Sequence, residues 1–297
     1  NKFSRSDIIR SQRQILNLGY FNQENLDIQT PVNQQAGTVD IKFVVEEKPS
    51  DQLELSAGWG GVGNGVIGTL GVTFNNFSVR NILNRETWNP LPQGDGQKVS
   101  LRAQTKGRFY QTYNASFSEP WLGGKKPTSL TVGGYYTKLN QSFSSTFEQS
   151  LGITNFSVGL GTRLRWPDDN FIFSASANIQ TYTLTNWRPG SFVLDDGTSL
   201  TQGNYNDLSL TLNLTRSTIN EPTFPTSGST FSVSARITPP FSSIRDENKL
   251  DLSNPQEAFK WLEYHKWKLN AEWYSPVFDK FVIKAQIKNG LIGFYNK

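Results

Sequence analysis

A strand pattern repeats along most of this chain and constrains its fold more than any other feature. From Gln52 onward, segments of about ten residues alternate apolar and polar side chains. One such segment carries Leu208, Leu210, Leu212 and Leu214, each separated by a polar residue. Successive strand residues point to opposite faces, so each segment has one apolar and one polar face. The polar face is mostly Ser, Thr, Asn and Gln, which suits a wet lumen, and the pattern therefore predicts a transmembrane β-barrel.

The composition agrees with this prediction. Mean hydropathy is -0.48, and no stretch approaches the length of a membrane-spanning helix. A low mean is expected of barrel strands, because only half of their residues face lipid. Aromatic content is 13%, and Trp residues fall near predicted strand ends, where interfacial girdles place them. The alternative interpretation is the aromatic core of a soluble β-sandwich.

Charge and cysteine content exclude several function classes. The net charge is +4, and the basic residues are spread along the chain, which argues against nucleic-acid binding. There is no Cys, so disulfide scaffolds, thiolate metal sites and thiol catalysis are excluded.

The turn chemistry divides the chain after Gln52 into about eleven antiparallel strands. They are predicted near 52–60, 66–75, 97–105, 109–119, 128–139, 153–164, 170–183, 205–217, 228–238, 264–275 and 281–290. Ser253 is a candidate N-cap for a helix through Leu262 inside one long connection. Bacterial single-chain barrels have even strand numbers, so further strands are expected beyond Lys297. With no Met in the sequence, we also expect the natural start to lie upstream.

Residues 1–50 have a different pattern from 51–297 and are predicted to form a separate domain. Ser4 to Leu18 is typical of a helix, and strands are expected at Asn25–Gln29 and Val39–Glu46. This order indicates the end of a small α+β module, followed by a hinge at 46–50 that contains Pro49.

Chain order predicts which connections share a side of the membrane. Those on the side of residues 1–50 are 76–96, 120–127, 165–169, 218–227 and 276–280. The far-side connections are 61–65, 106–108, 140–152, 184–204 and 239–263. Outer-membrane barrels have short periplasmic turns and long outer loops, which the later connections match, whereas the long 76–96 and the short 106–108 do not.

Enzymatic motifs are scarce. His265 is the only His and has no partner at metal-ligand spacing. The pairs Asp168–Asp169 and Asp195–Asp196 lack an EF-hand pattern and fit turn chemistry better. We therefore expect no enzymatic activity, no metal and no cofactor.

A glycine cluster marks the first predicted barrel strand and the turn after it. Seven Gly residues fall between Gly58 and Gly71, without a phosphate-binding motif. The simplest interpretation is a tight hairpin. Glycine also weakens a strand, because it adds backbone entropy and no cross-strand side chain. The first strand must pair with the last to close a barrel, so a weak first strand predicts a seam that opens.

Several stretches resemble BamA-type outer-membrane barrel-assembly proteins. Asp7–Arg10 with Leu18–Phe21, and Val39–Lys48, look like the second helix, following strand and final strand of a POTRA module. Asn76–Leu83, Ser118–Leu122 and Phe224–Gly228 are similar to family turns, the last two to its "EPW" and "FPTxG" motifs. The family's arginine-bearing loop motif and aromatic-ended last strand are not in this sequence.

The resemblance implies an all-β fold, with about eleven of sixteen barrel strands preceded by the end of a POTRA module. It implies an insertase of the bacterial outer membrane, with residues 1–50 in the periplasm. The implied partners are unfolded outer-membrane β-barrel proteins, accessory assembly lipoproteins or subunits, and outer-membrane lipid, with no nucleic acid. The seam strand that would template an incoming strand carries the candidate substrate-binding residues Leu53, Leu55, Ala57, Gly58, Trp59 and Gly60.

Two other function classes stay open at the level of sequence. One is a porin-like channel or a POTRA-bearing secretion transporter, which needs no opening seam. The other is a secreted carbohydrate-binding protein that uses exposed Trp, although its second face would then be more charged than the one here.

Overall fold

The computed structural model describes most of the chain. The described residues are 8–9, 11–12, 15–16, 21–33, 35, 37–46, 51–59, 65–88, 90–124, 128–141, 148–193, 197–221, 223–244, 255–278 and 281–295. The chain divides into two compact units, Asn1–Glu54 with Gly71–Ser100, and Leu55–Leu70 with Leu101–Lys297. None of the helices in these ranges is long and apolar enough to cross a membrane.

Strands dominate the structure. They are β1 Asp27–Gln29, β2 Val32–Asn33, β3 Thr38–Val39, β4 Lys42–Val44, β5 Gln52–Trp59, β6 Val66–Phe77, β7 Gln97–Thr105, β8 Tyr110–Glu119, β9 Thr128–Asn140, β10 Ser150–Arg163, β11 Phe171–Thr185, β12 Gly203–Ser217, β13 Gly228–Ile237, β14 His265–Phe278 and β15 Phe281–Gly293. The short helices are the 3-10 turns Arg80–Leu83 and Arg85–Thr87 and the α-helical turns Phe241–Ile244 and Pro255–Ala258.

The first unit contains the short N-terminal strands. In the predicted helix, the described residues 8–9, 11–12 and 15–16 are helical. Strand β1 pairs antiparallel with β4, and β2 pairs with β3. The strand predicted at Val39–Glu46 is therefore wrong as one element, because Val39 pairs with Val32 while Phe43 pairs with Ile28. Of the predicted hinge, residues 47–50 lie outside the described residues.

Strands β5 to β15 form a single sheet in which each strand is hydrogen-bonded to its chain neighbours. The predicted number of eleven strands is confirmed. We call the end of the sheet where β5 finishes and β6 begins the far end, and the opposite one the near end. Short turns join most strands at the near end, whereas the far end carries the long connections 186–202 and 238–264.

The register sorts the side chains into two rows on opposite faces. Val158 lies opposite Ala177, which lies opposite Leu210, in what we call the apolar row. Asn155 lies opposite Gln180, which lies opposite Asp207, in the polar row. Along the polar row, the Tyr135 hydroxyl donates to Gln180 Oε1 at 3.2 Å. The alternation read from the sequence thus becomes two chemically distinct faces.

The most buried apolar cluster lies at the far end, on the side of the polar row. Leu151, Leu184, Trp187 and Tyr205 form it, and Leu139, Ile153, Tyr182 and Leu200 pack against it. Leu151 pairs with Leu184, and Trp187 begins the connection that follows β11. This cluster holds the 186–202 connection against the sheet.

The helix predicted from Ser253 to Leu262 is mostly wrong. Among its described residues, 255–262, only Pro255–Ala258 are helical, and Ser253 lies outside the described residues. Trp261 instead forms a parallel bridge with Asn206. The Asn206 amide donates to Lys260 O and Leu262 donates to Asn206 O, both at 2.8 Å. The segment therefore pairs with the part of β12 that continues beyond the end of β13, and it satisfies backbone groups there. These hydrogen bonds outweigh the local preference for a helix.

Candidate lateral edge strand

Strand β5 is one edge of the eleven-stranded sheet, and β15 is the other. Within the described ranges, β5 pairs only with β6 and β15 only with β14. On one side of each edge strand, no strand of the described residues is its neighbour in the sheet. Such an edge accepts an added strand, and the drive is larger in lipid because no water satisfies backbone N–H and C=O groups there.

The predicted seam residues lie on this edge. Leu53 is 72% exposed, Leu55 79% and Trp59 71%. Together with Ala57, these residues occupy every second position of β5 and so share one face of the strand. Gly58 points to the opposite face, where a Cβ atom would meet no other atom within 4 Å. Gly60 lies outside the described residues. The structure thus brings five of the six residues onto one exposed strand, and their role in substrate binding stays a prediction.

Strand β5 is the shortest strand of the sheet in the part of the chain described. It has 8 residues, whereas the other ten strands of the sheet have between 9 and 15 in the part of the chain described. A short strand forms fewer ladder hydrogen bonds, and Gly58 contributes no cross-strand side-chain contact. Both features weaken the pairing of β5 with a neighbouring strand.

A cavity with a volume of about 410 Å³ lies at the far end of this edge. Trp59, Val66 and the tight turn of Gly107 line it, together with Lys106, Arg108, Phe109 and Gly65. Arg108 lies over the Phe109 ring at 5.2 Å, and Gly107 has a φ of +58°. The turn thus places two cationic side chains beside the last described residue of β5.

The near-end connection between β6 and β7 is held by side chains. Ser78 is fully buried, and its hydroxyl donates to Asp95 Oδ2 at 2.7 Å. The Val79 amide donates to Gln97 Oε1 at 2.8 Å, and Asn81 Nδ2 donates to Gln93 O at 2.8 Å. These bonds explain why this connection is long yet structured, in contrast to the short turns expected at this end.

The second edge carries charge that the sequence analysis did not single out. Lys268 shares the polar row with Asn270, which lies opposite Lys288, and Lys284 lies opposite Tyr274. Lys284 Nζ lies 3.3 Å from Glu272 Oε2. The signal was available, since Lys284, Gln286 and Lys288 alternate with Ile283, Ala285 and Ile287.

A charged cluster interrupts the otherwise mostly neutral polar row near the far end. Asp207 is 3% exposed, and its Oδ2 accepts from Arg236 Nη2 at 3.0 Å and from the Tyr264 hydroxyl at 2.7 Å. Burial, and then the bond to Asp207, raise the pKa of Tyr264 above its ordinary value. The cluster joins the 238–264 connection to the sheet, and no local sequence signal pairs residues this far apart.

Candidate metal or catalytic groups do not gather around these features. No group of three His, Cys, Asp or Glu side chains in the described ranges is arranged to hold a metal ion. His265 lies on the apolar row, where its Nδ1 accepts from Trp267 Nε1 at 3.1 Å and its ring lies 5.5 Å from that of Tyr295. These contacts give the lone His an aromatic setting.

Comparison with known proteins identifies the class of this long antiparallel sheet. The Omp85 superfamily domain matches residues 93–297. The fold is similar to BamA from Haemophilus ducreyi lacking POTRA domains 1-3, with a TM-score of 0.53, 18% identity, and coverage of 99% of this chain and 50% of that one. It is also similar to CdiB from Escherichia coli, with a TM-score of 0.57, 14% identity, and coverage of 98% and 49%. No curated protein matches the sequence.

These matches define an all-β protein of the outer-membrane β-barrel class. The chain belongs to the Omp85 superfamily. It spans about half the length of each of the two solved structures. β-Barrels of this superfamily lie in the bacterial outer membrane, so the apolar row faces lipid and the polar row faces the lumen.

Proposed function

We propose that this protein is an outer-membrane protein assembly factor that folds and inserts β-barrel proteins through a lateral seam at β5. The observation that carries the proposal is the position of β5 at the edge of the sheet in an Omp85 protein, with exposed described residues that include Gly58. An incoming strand would pair with β5 on the side opposite β6 and take its register from the backbone ladder. Hydrogen bonding alone supplies this chemistry, so the proposal includes no enzymatic step.

The remaining parts of the proposal follow from the family resemblance. Residues 1–50 would be the end of a periplasmic POTRA module, and the clients would be unfolded outer-membrane β-barrel proteins. Accessory lipoproteins or subunits would complete the machine. The paired strands β1 and β4, with helical residues before them, are compatible with such an α+β module.

Photocrosslinking tests the proposed client contact directly. A photoreactive residue at Leu55 of the full-length protein is expected to crosslink an unfolded barrel client during assembly in proteoliposomes. The control position is Phe156, which is 52% exposed on the apolar row of an inner strand. Because Phe156 lies on a strand with two partners, it is expected to crosslink mainly lipid. Equal client crosslinking from both positions would contradict the proposal.

The alternative proposal is a POTRA-bearing secretion transporter or porin-like channel. It is supported by the fold likeness to CdiB, which is as strong as that to BamA. In that case the barrel would pass a client or solute through its lumen without opening at β5. Ion conductance together with a single dedicated client would favour this alternative, whereas insertion of several barrel clients favours assembly.

A further inference from the structure

We propose that a pocket on the apolar row, where the far end of β13 meets the middle of β12 and β11, binds one acyl chain of a membrane lipid. The pocket has a volume of about 370 Å³. Its lining includes Ala177, Leu208, Leu210, Ile237, Pro239 and Pro240. This site lies away from β5. Lipid binding there requires the membrane location of the sheet and is independent of the proposed assembly activity.

The pocket lies where one strand of the sheet ends before its neighbour does. Strand β13 ends at Ile237, opposite Leu210, while β12 continues past it to Gly203. Thr238 follows as a fully buried residue that also lines the pocket, and its amide and hydroxyl both donate to Tyr264 O at 3.0 Å. Pro239 and Pro240 have no N–H to extend the ladder. The small side chain of Ala177, opposite Leu210, leaves the notch open.

The chemistry of the notch selects its occupant. Ala177, Leu210 and Ile237 line the notch, and all three belong to the row that faces lipid. Water gains little there, because a water molecule needs several polar partners. A lipid tail is the apolar chain available at this depth, and it contributes favourable contacts with every wall. The notch thus continues the lipid-facing surface inward.

The aromatic side chains around the notch indicate where the lipid headgroup would lie. His265 and Trp267 are on the apolar row, joined by the Trp267 Nε1 to His265 Nδ1 hydrogen bond. Tyr295 contacts the His265 ring and also lines the pocket. Amphipathic aromatic rings favour the level of the membrane interface. The headgroup would therefore sit at the far-end interface, with one tail descending into the notch.

Native mass spectrometry of the full-length protein tests the site. The probe is phosphatidylethanolamine with palmitoyl and oleoyl chains, added to protein stripped of lipid in detergent. We expect wild type to retain one lipid molecule and Ala177→Phe to retain about tenfold less, since the new ring fills the notch. Ala175→Phe is the matched control. Ala175 lies two residues away on the same strand and row, facing Leu212 and outside the pocket lining.

A second pair of variants tests the same site if Ala177→Phe does not fold. Leu210→Phe narrows the notch from β12, whereas Leu212→Phe adds the same ring on the same row outside it. Folding is checked by heat-modifiable gel mobility, and only folded variants are compared. Retention by Ala177→Phe and Leu210→Phe at the wild-type level would overturn the proposal. An equal loss in both control variants, or no retained lipid in wild type, would do so as well.

Discussion

At the scale of single residues, Gly228 occupies a position that a side chain cannot share. Its φ is +103°, and a Cβ atom there would lie 2.3 Å from the carbonyl oxygen of Thr218. The Pro225–Gly228 sequence predicts a turn, which the structure confirms, since β13 begins at Gly228. The close approach was not predictable, because it depends on the hydrogen bond that the Thr218 amide donates to Ser229 O across the turn.

Replacing Gly228 by Ala is expected to lower the free energy of unfolding by about 3 kcal/mol or more, from positive-φ strain and the backbone clash. Gly123→Ala is the matched control. Gly123 has a φ of +79°, and a Cβ atom there would meet no atom within 4 Å, so this variant tests backbone strain alone. We expect that control to lose about 1–2 kcal/mol. Urea unfolding in detergent micelles measures both, and equal losses would contradict the clash.

Asp168 in the near-end turn gives a pH-dependent contribution. The Asn170 amide donates to its Oδ1 at 2.8 Å, and Arg216 Nε donates to its Oδ2 at 2.8 Å. These bonds lower the pKa of Asp168 below its ordinary value of about 4. Because the pKa of Asp168 is lower in the folded than in the unfolded protein, its ionised form stabilises the folded state at pH values above the unfolded pKa. This contribution is lost as the pH falls through the folded pKa.

Asp168→Asn is therefore expected to lower the Tm slightly at about pH 7 and to leave it unchanged at about pH 2. Asn keeps the acceptor for the Asn170 amide and removes both the charge and the Oδ2 acceptor of Arg216. Glu221→Gln, an exposed change at the same end of the sheet, is expected to alter the Tm at neither pH. A destabilisation by Asp168→Asn that is as large in acid as at neutral pH would show that charge is not the cause.

At the scale of elements, alternation located the long strands well and failed where distant bonds decide. The predicted 97–105 and 281–290 correspond to Gln97–Thr105 and Phe281–Gly293. The helix predicted from Ser253 became an extended segment at 260–262, because its backbone pairs with Asn206, more than fifty residues earlier. Periodicity reports the local face of a segment and carries no information about such a partner.

Tyr264→Phe is expected to loosen that segment. The change removes the hydroxyl that donates to the buried Asp207 carboxylate, and hydrogen bonds to charged groups contribute about 1.5–3 kcal/mol. Amide hydrogen exchange at Leu262 and Asn206 should accelerate. Tyr274→Phe removes a comparable hydroxyl, which donates to Glu272 at 2.8 Å on β14, and should leave these amides protected. Unchanged exchange in Tyr264→Phe would contradict the role of the cluster.

Gly58→Val tests whether the weakness of β5 matters. The first atom of the new side chain meets no atom within 4 Å, and valine favours a strand by about 0.5–1 kcal/mol over glycine. The barrel should fold normally, while the rate of client insertion into liposomes falls. Gly68→Val makes the same change on β6, again with open space around it, and should leave the rate unchanged. A wild-type insertion rate in Gly58→Val would contradict a role for the weakness of β5 in client insertion.

At the scale of the whole molecule, the sheet is an ordered series of eleven strands whose two edges are β5 and β15. The number of strands and the position of β5 were predictable from the sequence, because each strand carries its own alternation. The far-end cluster of Asp207 was not predicted, because it joins residues far apart in the sequence. The alternating lysines of β15 were visible in the sequence, and their place in the polar row follows from the cross-strand register. For assembly, we propose that β5 must part from its closing neighbour.

A disulfide lock across the proposed seam is the most direct test of that claim. The 297 residues contain no Cys, so a Cys introduced at Ser56 is the only thiol in this region. The second Cys is introduced on the strand of the full-length barrel that faces β5 across the proposed seam. We predict that the oxidised protein stays folded, by heat-modifiable mobility, but inserts no barrel clients, and that reduction restores insertion. Wild-type insertion by the fully oxidised, locked protein would contradict the opening of the seam.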